Sequence, residues 1–217
     1  MSNKTKKGMR TGPDRTALRA AVAEAVHQTV CDETGSDGFG HCMLYAIVGA
    51  FTARHVFGHD YLPQAGSLLL QHDPADPDCW VTFDARGNGI VSGEFHAWFG
   101  RVAPKSTGMA LPLEIADLCS RHYPKLVELP PILHRETQIR GDLAATVVVP
   151  SGVCHSWKRP EPCPPYVWTD GCRQLDWVNL VSDEAACQFL WEKLRDKLDS
   201  YKRLVAEACN RYRQATA

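Results

Sequence analysis

The length, composition and charge of the chain exclude several classes of protein. Its 217 residues suffice for one well-buried core with a small appendage. Lys and Arg total 24 against 25 Asp and Glu, so no bulk charge draws the chain toward nucleic acid or acidic lipid. No apolar run approaches the roughly 18–20 residues of a membrane span, and the N-terminal lysines lack the apolar stretch of a secretory signal. We therefore expect a cytoplasmic protein that binds neither nucleic acid nor membrane; its oligomeric state is left open.

The first predicted elements are a leader and two helices. Residues 1–13 are polar and end in a Gly-Pro pair, which predicts a disordered leader, and residues 14–217 are expected to form a single domain. Apolar residues then recur at spacings of three and four, the pattern of a helix, until the glycine-rich segment 31–40 breaks it. A second helix follows from about His41 to Phe57. It is apolar around most of its circumference, so we expect it at the centre of the fold.

The middle of the chain has the period of strands. The runs GSLLLQ, CWVTFDA and VSGEFHAWFGRV, separated by strong turn signals, predict a meander of antiparallel strands. PLEIADLCSRHY is interpreted as a strand end leading into a helical turn, and ATVVVP as a short strand. One long helix, from about Asp183 to Arg211 with an N-cap at Ser182 or Asp183, closes the chain. The fold prediction is α+β: a buried helix packed on an antiparallel sheet, with helices at both ends.

Cys42 stands where the turn GFGH runs into the second helix. At a helix start the unpaired N–H groups and the helix dipole favour a thiolate, which is the nucleophilic form of cysteine. The same N–H groups can hold the oxyanion that forms when an acyl group is attacked. The alternative is structural, because a free cysteine is also among the most buried residue types.

A histidine and an acid would complete a catalytic site with this cysteine. His96 lies in EFHAWFG on a predicted strand, where it is suited to act as general base toward a thiol. Asp117, on the next predicted strand, is the preferred residue to orient the imidazole. Asp84, on the preceding strand, is the competitor. A helix N-cap or a turn is an equally good interpretation of Asp117 taken alone.

The order of these residues resembles the transglutaminase-like branch of the papain-like cysteine peptidase superfamily. The cysteine is in GHCMLYA, the histidine in EFHAWFG and the aspartate in EIADLCS, so the resemblance covers residues 38 to 120. The whole chain is most similar to bacterial families of that superfamily without an assigned activity. The resemblance implies a papain-like fold and a thiol hydrolase or acyltransferase acting on an amide or ester bond, with Cys42, His96 and Asp117 as its catalytic triad. A peptide or small amide or ester is then the substrate, and no cofactor or metal is required.

The chain also departs from the family pattern. Phe99 and Gly100 occupy the region after HAW where an acid is usual, and Gln28 is too far before Cys42 to supply a papain-type oxyanion hole. The motif therefore bears on the triad more than on the substrate site, whose wall we expect to include Trp98, Gly40 and His41. The rival hypothesis is a non-catalytic interaction module that retains the papain-like scaffold with an idle triad.

Two other groups of residues have ligand types that suit a metal. Cys154, with the adjacent histidine, Cys163 and Cys172 are spaced more loosely than the paired ligands that zinc prefers, so free thiols are the expected state. His55 and His59 are four residues apart, but Gly58 separates them and no Glu follows the first. No metal site is predicted at either place.

Overall fold

A central helix packs on an antiparallel sheet, and helices from both ends of the chain pack against that central helix. The computed structural model describes residues 14–71, 80–86, 89–102, 112–128, 163–170 and 178–217. Within these ranges the architecture is mixed α+β, as predicted. The helices are α1 (Arg15–Thr34), α2 (Cys42–Phe57), the short α3 (Gly89–Ser92) and α4 (Tyr123–Glu128), and the C-terminal α5 (Glu184–Asp196) and α6 (Leu198–Thr216).

Among the described residues the sheet has six strands, all paired antiparallel. They are β1 (Tyr61–Gln71), β2 (Trp80–Phe83), β3 (His96–Val102), β4 (Pro112–Asp117), β5 (Val167–Asp170) and β6 (Val178–Ser182). β1 pairs with β2, β3 and β6, while β4 joins β3 to β5. The strand that carries His96 therefore lies beside the strand that ends at Asp117.

The register of β1 corrects the predicted meander. Gly66 pairs with strand β3 on one side and with β6 on the other, and Leu68 pairs with β2 and with β6. Since a strand residue has one neighbour on each side, β2 and β3 lie end to end along the same side of β1. Between β2 and β3 the chain leaves the sheet and forms α3. It leaves opposite Ser67 of β1, whose hydroxyl accepts a hydrogen bond from the Ala85 N–H at 3.0 Å. The run VSGEFHAWFGRV is therefore helical at its start and extended only from His96.

The predicted central helix is confirmed. α2 begins at Cys42, ends at Phe57, and is capped by Gly58, whose N–H donates to the Arg54 carbonyl at 3.0 Å. Its side chains at Ala46 and Ile47 are fully buried. The helix packs on β1 and β3 on one side and on α1 and α6 on another, which explains the apolar residues around its circumference.

The prediction of a single C-terminal helix is wrong in one respect. Asp183 is the N-cap, with its carboxylate accepting from the Ala186 N–H at 2.9 Å, but the helix breaks at Lys197. α5 packs on β1, whereas α6 packs on α1 and α2. The chain changes direction between two packing surfaces, and neither glycine nor proline marks the change in the sequence.

Some of the sequence-based predictions lie outside the described residues. These are the leader at 1–13, the strand ATVVVP at 145–150, and the cysteines at 154 and 172. In the part of the chain that the structure describes, no helix is both long enough and apolar enough to cross a bilayer.

Candidate active site

Two glycines shape the turn that delivers Cys42 to its position. Gly38 and Gly40 have φ angles of 84° and 79°, in the left-handed region that side-chain-bearing residues rarely adopt. Gly38 is also packed against α2, because a Cβ at this position would lie 2.3 Å from the hydroxyl oxygen of Tyr45. The turn closes with a hydrogen bond from the His41 N–H to the Gly38 carbonyl at 3.2 Å. The chain then enters α2 with Cys42 as its first residue.

The helix start leaves backbone donors at Cys42. The N–H groups of Leu44 and Tyr45 bond to the His41 carbonyl, at 3.0 and 3.3 Å. The N–H groups of Cys42 and Met43 precede them, where no helical carbonyl is available to accept. No side-chain cap covers this end of the helix, since His41 makes no capping hydrogen bond. The cysteine therefore has backbone donors and the positive end of the helix dipole beside it.

His96 and Asp117 form a buried pair. Nε2 of His96 lies 2.8 Å from Oδ2 of Asp117, and the two residues are 6% and 0% exposed. The contact expected between them is therefore present. Asp84 is engaged elsewhere, with its carboxylate 2.9 Å from the guanidinium of Arg86 and 3.4 Å from the Ser67 hydroxyl.

Asp117 is held by two further donors. The hydroxyl of Tyr123 donates to Oδ2, the oxygen that also faces His96, and the N–H of Cys119 donates to Oδ1 at 2.8 Å. Sequence reasoning missed Tyr123. The available signal was a tyrosine six residues after the acid, across the turn between β4 and α4, a spacing that many residues share without contact.

The electrostatics of the pair favour the charged forms of both groups. Burial on its own lowers the pKa of His96, but the charge and hydrogen bond of Asp117, with a smaller contribution from the Cys42 thiol, raise it to about 10. Burial on its own raises the pKa of Asp117, and the contacts with His96, Tyr123 and the Cys119 N–H together lower it. Because Nε2 of His96 faces Asp117, Nδ1 is the ring nitrogen left for Cys42. The arrangement favours an imidazolium beside the thiol at neutral pH.

Cys42 and His96 line a common cavity of about 960 Å³. Gly40 and His41, which were predicted for the substrate-site wall, also line this cavity. Trp98 is the exception, since it is absent from the cavity lining and only 4% exposed. Trp98 follows His96 by two residues on β3 and lies on the same face, as strand alternation predicts. Its ring stacks on the imidazole, with 6.2 Å between the ring centroids. Trp98 therefore packs against the imidazole of His96 but does not line the cavity.

A second polar cluster borders the cavity, and sequence reasoning did not find it. The hydroxyl of Tyr45 lies 2.6 Å from Nδ1 of His27 and 3.3 Å from Nε2 of His122. His122 lines the cavity and is buried. Burial lowers the pKa of His122 to about 4; the charge of Asp37 opposes this shift, and that of Arg121 adds to it. The His122 side chain is thus uncharged at neutral pH.

The described residues contain no cluster of three or more His, Cys, Asp or Glu side chains arranged to hold a metal ion. Of the cysteines considered as zinc ligands, Cys163 falls within the described ranges. Its thiol donates to the carbonyl of Ser120 at 3.3 Å, which is the behaviour of a structural thiol.

Comparisons with known proteins give no assignment. No family model matches the chain, and no curated protein matches it. One similar solved structure is a crystal structure described only as a genomics target, with 13% sequence identity. The similarity covers 94% of this chain and 82% of the other, with a TM-score of 0.48.

Proposed function

We propose that the chain is a thiol hydrolase or acyltransferase of the papain-like, transglutaminase-like type, acting on an amide or ester bond. The observation that carries the proposal is that Cys42 and His96 line one cavity, while the buried Asp117 holds His96 from outside the lining. Cys42 begins the buried helix, and the imidazole of His96 lies beside the Cys42 thiol. The carboxylate of Asp117 accepts a hydrogen bond from the far ring nitrogen of His96 at 2.8 Å. This is the relation of nucleophile, base and orienting acid that covalent acyl transfer uses.

In the first half-reaction the thiolate of Cys42 attacks the carbonyl carbon of the substrate. A C–S bond forms, and the carbonyl oxygen takes up the electron pair as an oxyanion. The N–H groups of Cys42 and Met43 at the helix start are the donors available to this oxyanion. When the tetrahedral adduct collapses, the bond to the amine or alcohol breaks, and the imidazolium of His96 gives its proton to the departing nitrogen or oxygen.

In the second half-reaction neutral His96 takes a proton from water, or from an acceptor amine, as that molecule attacks the thioester carbon. The C–S bond breaks and Cys42 leaves as the thiolate, which restores the ion pair. Throughout the cycle Asp117 keeps the imidazole oriented and stabilises its charged form, while Tyr123 and the Cys119 N–H hold the carboxylate in place.

Thiol alkylation tests the proposal directly. The protein is treated with iodoacetamide at pH 6, and each of its nine cysteines is followed by peptide mass spectrometry. Cys42 should be alkylated well ahead of the other eight, because the imidazole of His96 and the start of α2 lie beside its sulfur and favour its attack on the reagent. Cys31, which is also half-buried, is the internal control. Equal rates at Cys42 and Cys31 would favour the non-catalytic scaffold instead.

Turnover of a p-nitrophenyl ester provides the second test. Wild type is compared with Cys42→Ala and His96→Ala, and release of p-nitrophenol is measured with and without an added amine. The proposal requires turnover that both substitutions abolish. Mass spectrometry of the products separates the two classes: an amide of the added amine identifies a transferase, and the free acid alone identifies a hydrolase.

A further inference from the structure

We infer that the acyl group transferred to Cys42 is uncharged and apolar, and that the 960 Å³ cavity beside Cys42 holds it. The inference rests on the proposed function, and it names the substrate class of that site. It follows from the apolar side chains that line the cavity and from the state of the charged residues and histidines among the lining.

Most of the lining is apolar. Aromatic and aliphatic side chains enter it from α2, from the turn before α2, from the segment before β3, from α4 and from α6; they include Phe39, Met43, Phe95, Leu126 and Leu204. A cavity of this size is within the range of about 300–1,000 Å³ that is typical of small-ligand sites, which are mainly apolar with a few polar groups. An acyl chain that enters this cavity removes its own CH₂ groups from water against such a lining.

The charged side chains of the lining lie at its solvent-exposed edge. Glu33 and Lys197 are exposed residues, and so is His41. Glu33 already pairs with Arg203, at 2.6 Å. These groups remain in water, so none of them is placed to neutralise a charge in the interior of the cavity.

The buried histidines of the lining also offer nothing to a buried charge. His96 is committed to Asp117, and His122 is uncharged at neutral pH. A carboxylate or ammonium on the acyl group would lose its hydration without gaining an ionic partner among the lining residues that the structure describes. The cavity therefore selects against charge as well as for apolar surface.

A panel of three p-nitrophenyl esters tests the inference on the wild-type protein. The esters are the acetate, the hexanoate and the succinate half-ester, and turnover by Cys42→Ala is subtracted from each rate. We expect kcat/KM for the hexanoate to exceed that for the acetate by about 10-fold or more, since each buried CH₂ contributes about 0.8 kcal/mol. The succinate should fall at or below the acetate. Equal rates on the three esters, or a preference for the succinate, would overturn the inference.

A further arm separates two sources of an apolar acyl group. The N-acetyl-leucine p-nitrophenyl ester carries the group as an amino-acid side chain, while the hexanoate carries it as a straight chain. A higher kcat/KM on the leucine ester indicates a peptide substrate, and a higher value on the hexanoate indicates an aliphatic acyl donor. Either result supports an uncharged apolar acyl group.

A charge placed in the lining should reverse the selectivity. Leu126→Lys puts an ammonium into the cavity and should lower the ratio of kcat/KM for hexanoate to that for succinate by about 10-fold or more. Val91→Lys is the matched control, since Val91 is 92% exposed and outside the lining. Thermal unfolding shows whether each variant is folded, and Met43→Lys replaces Leu126→Lys if that variant is not. An unchanged ratio in a folded variant counts against the inference.

Binding to Cys42→Ala separates this inference from the proposed chemistry. Hexanamide and succinamate are titrated against the variant, and binding is measured by the shift in thermal unfolding. If wild type shows no Cys42-dependent turnover but hexanamide binds and succinamate does not, the proposed reaction fails while the selectivity of the cavity stands. If turnover occurs but the two ligands bind equally, the selectivity fails while the proposed reaction stands.

Discussion

Tyr123 and His96 donate to the same oxygen of Asp117. The Tyr123 hydroxyl and Nε2 of His96 both donate to Oδ2 of Asp117, and the Cys119 N–H donates to Oδ1 at 2.8 Å. A carboxylate that accepts several hydrogen bonds in a buried site is kept ionised and fixed in orientation. Tyr123 is therefore a positioning residue for the acid, and its ring also packs beside the imidazole, with 6.2 Å between the ring centroids.

Removal of the Tyr123 hydroxyl should weaken both the fold and the acid. Tyr123→Phe deletes a hydrogen bond to a buried charge, so we expect a loss of about 1.5–3 kcal/mol in the free energy of unfolding. The pKa of Asp117 should rise, because one of the contacts that lower it is gone. The acidic limb of the pH–rate profile should then move to higher pH, which loss of packing alone would not cause. Tyr212→Phe, on α6, is the control, and an unmoved limb in Tyr123→Phe contradicts the assignment.

Neutralising the acid should slow turnover, and it should also destabilise the fold because it leaves the buried imidazolium without its partner. Asp117→Asn replaces an acceptor facing His96 with an amide that also carries donors, which favours the wrong tautomer of the imidazole. The same change in the triad of a serine protease lowers kcat by about 10⁴-fold. We expect a smaller loss here, about 10- to 10³-fold, because a Cys–His ion pair forms partly without the acid. Esterase turnover measures the effect.

Asp84→Asn is the matched control for that substitution. The Asp84 carboxylate contacts Arg86 and Ser67, whereas the carboxylate that meets the imidazole belongs to Asp117. Neutralising Asp84 should leave turnover within about two-fold of wild type, since the substitution removes a partly exposed ion pair that lies away from the reacting groups. A large loss in Asp84→Asn together with a small one in Asp117→Asn would reverse the roles given to the two acids.

The positions of the three site residues were predictable because each depends on local signals. A glycine-rich turn before an apolar run predicts a helix that starts near Cys42, and α2 begins there. Asp117 is preferred over Asp84 because an acid at the end of a strand beside the histidine strand can reach the far ring nitrogen. These inferences needed only the order of elements and the period of the apolar residues.

The parts that sequence reasoning missed depend on distant packing. The break at Lys197 reflects two packing surfaces, and the end-to-end arrangement of β2 and β3 along β1 depends on strand register. Trp98 lies on the predicted face of β3, next to His96. Whether it also lines the cavity depends on where the cavity ends along the strand, and the cavity ends before Trp98. Local sequence preferences do not determine contacts between segments that are far apart in the chain.

The protonated state of His96 should be visible in the pH dependence of stability. The pKa of His96 is raised to about 10 in the folded protein, against about 6.5 for an unperturbed histidine. Between these values the folded state holds a proton that the unfolded state has lost, so the free energy of unfolding should fall as pH rises from about 6.5 to 10. Below about 6.5 the contribution is fully present.

Urea unfolding at pH 6, 8 and 10 measures this contribution. His96→Gln removes the titrating group, so its stability should decline less than that of wild type between pH 6 and pH 10. His55→Gln is the control, because His55 is an exposed residue on α2 and lies outside the cavity. Parallel curves for wild type and His96→Gln would show that His96 is neutral in the folded protein near pH 7.

The last prediction concerns the distance between the helix that carries Cys42 and the strand that carries His96. At Gly49, α2 approaches β3 so closely that a Cβ would lie 2.5 Å from the ring of Phe99 and 3.3 Å from Leu118. Phe99 is fully buried, so its ring has little room to move away. Gly49→Ala should therefore destabilise the protein by about 1–3 kcal/mol, the usual cost of overpacking, even though alanine is the better helix former.

A second substitution distinguishes overpacking from any other effect of the alanine. Phe99→Leu removes ring atoms opposite Gly49, so in the double variant it should cost less stability than it does alone. Urea unfolding of the two single variants and the double variant gives the coupling free energy. Because α2 also positions Cys42, alkylation at pH 6 should slow in Gly49→Ala and recover in part in the double variant. Additive free energies would show that the spacing between α2 and β3 is not set by this contact.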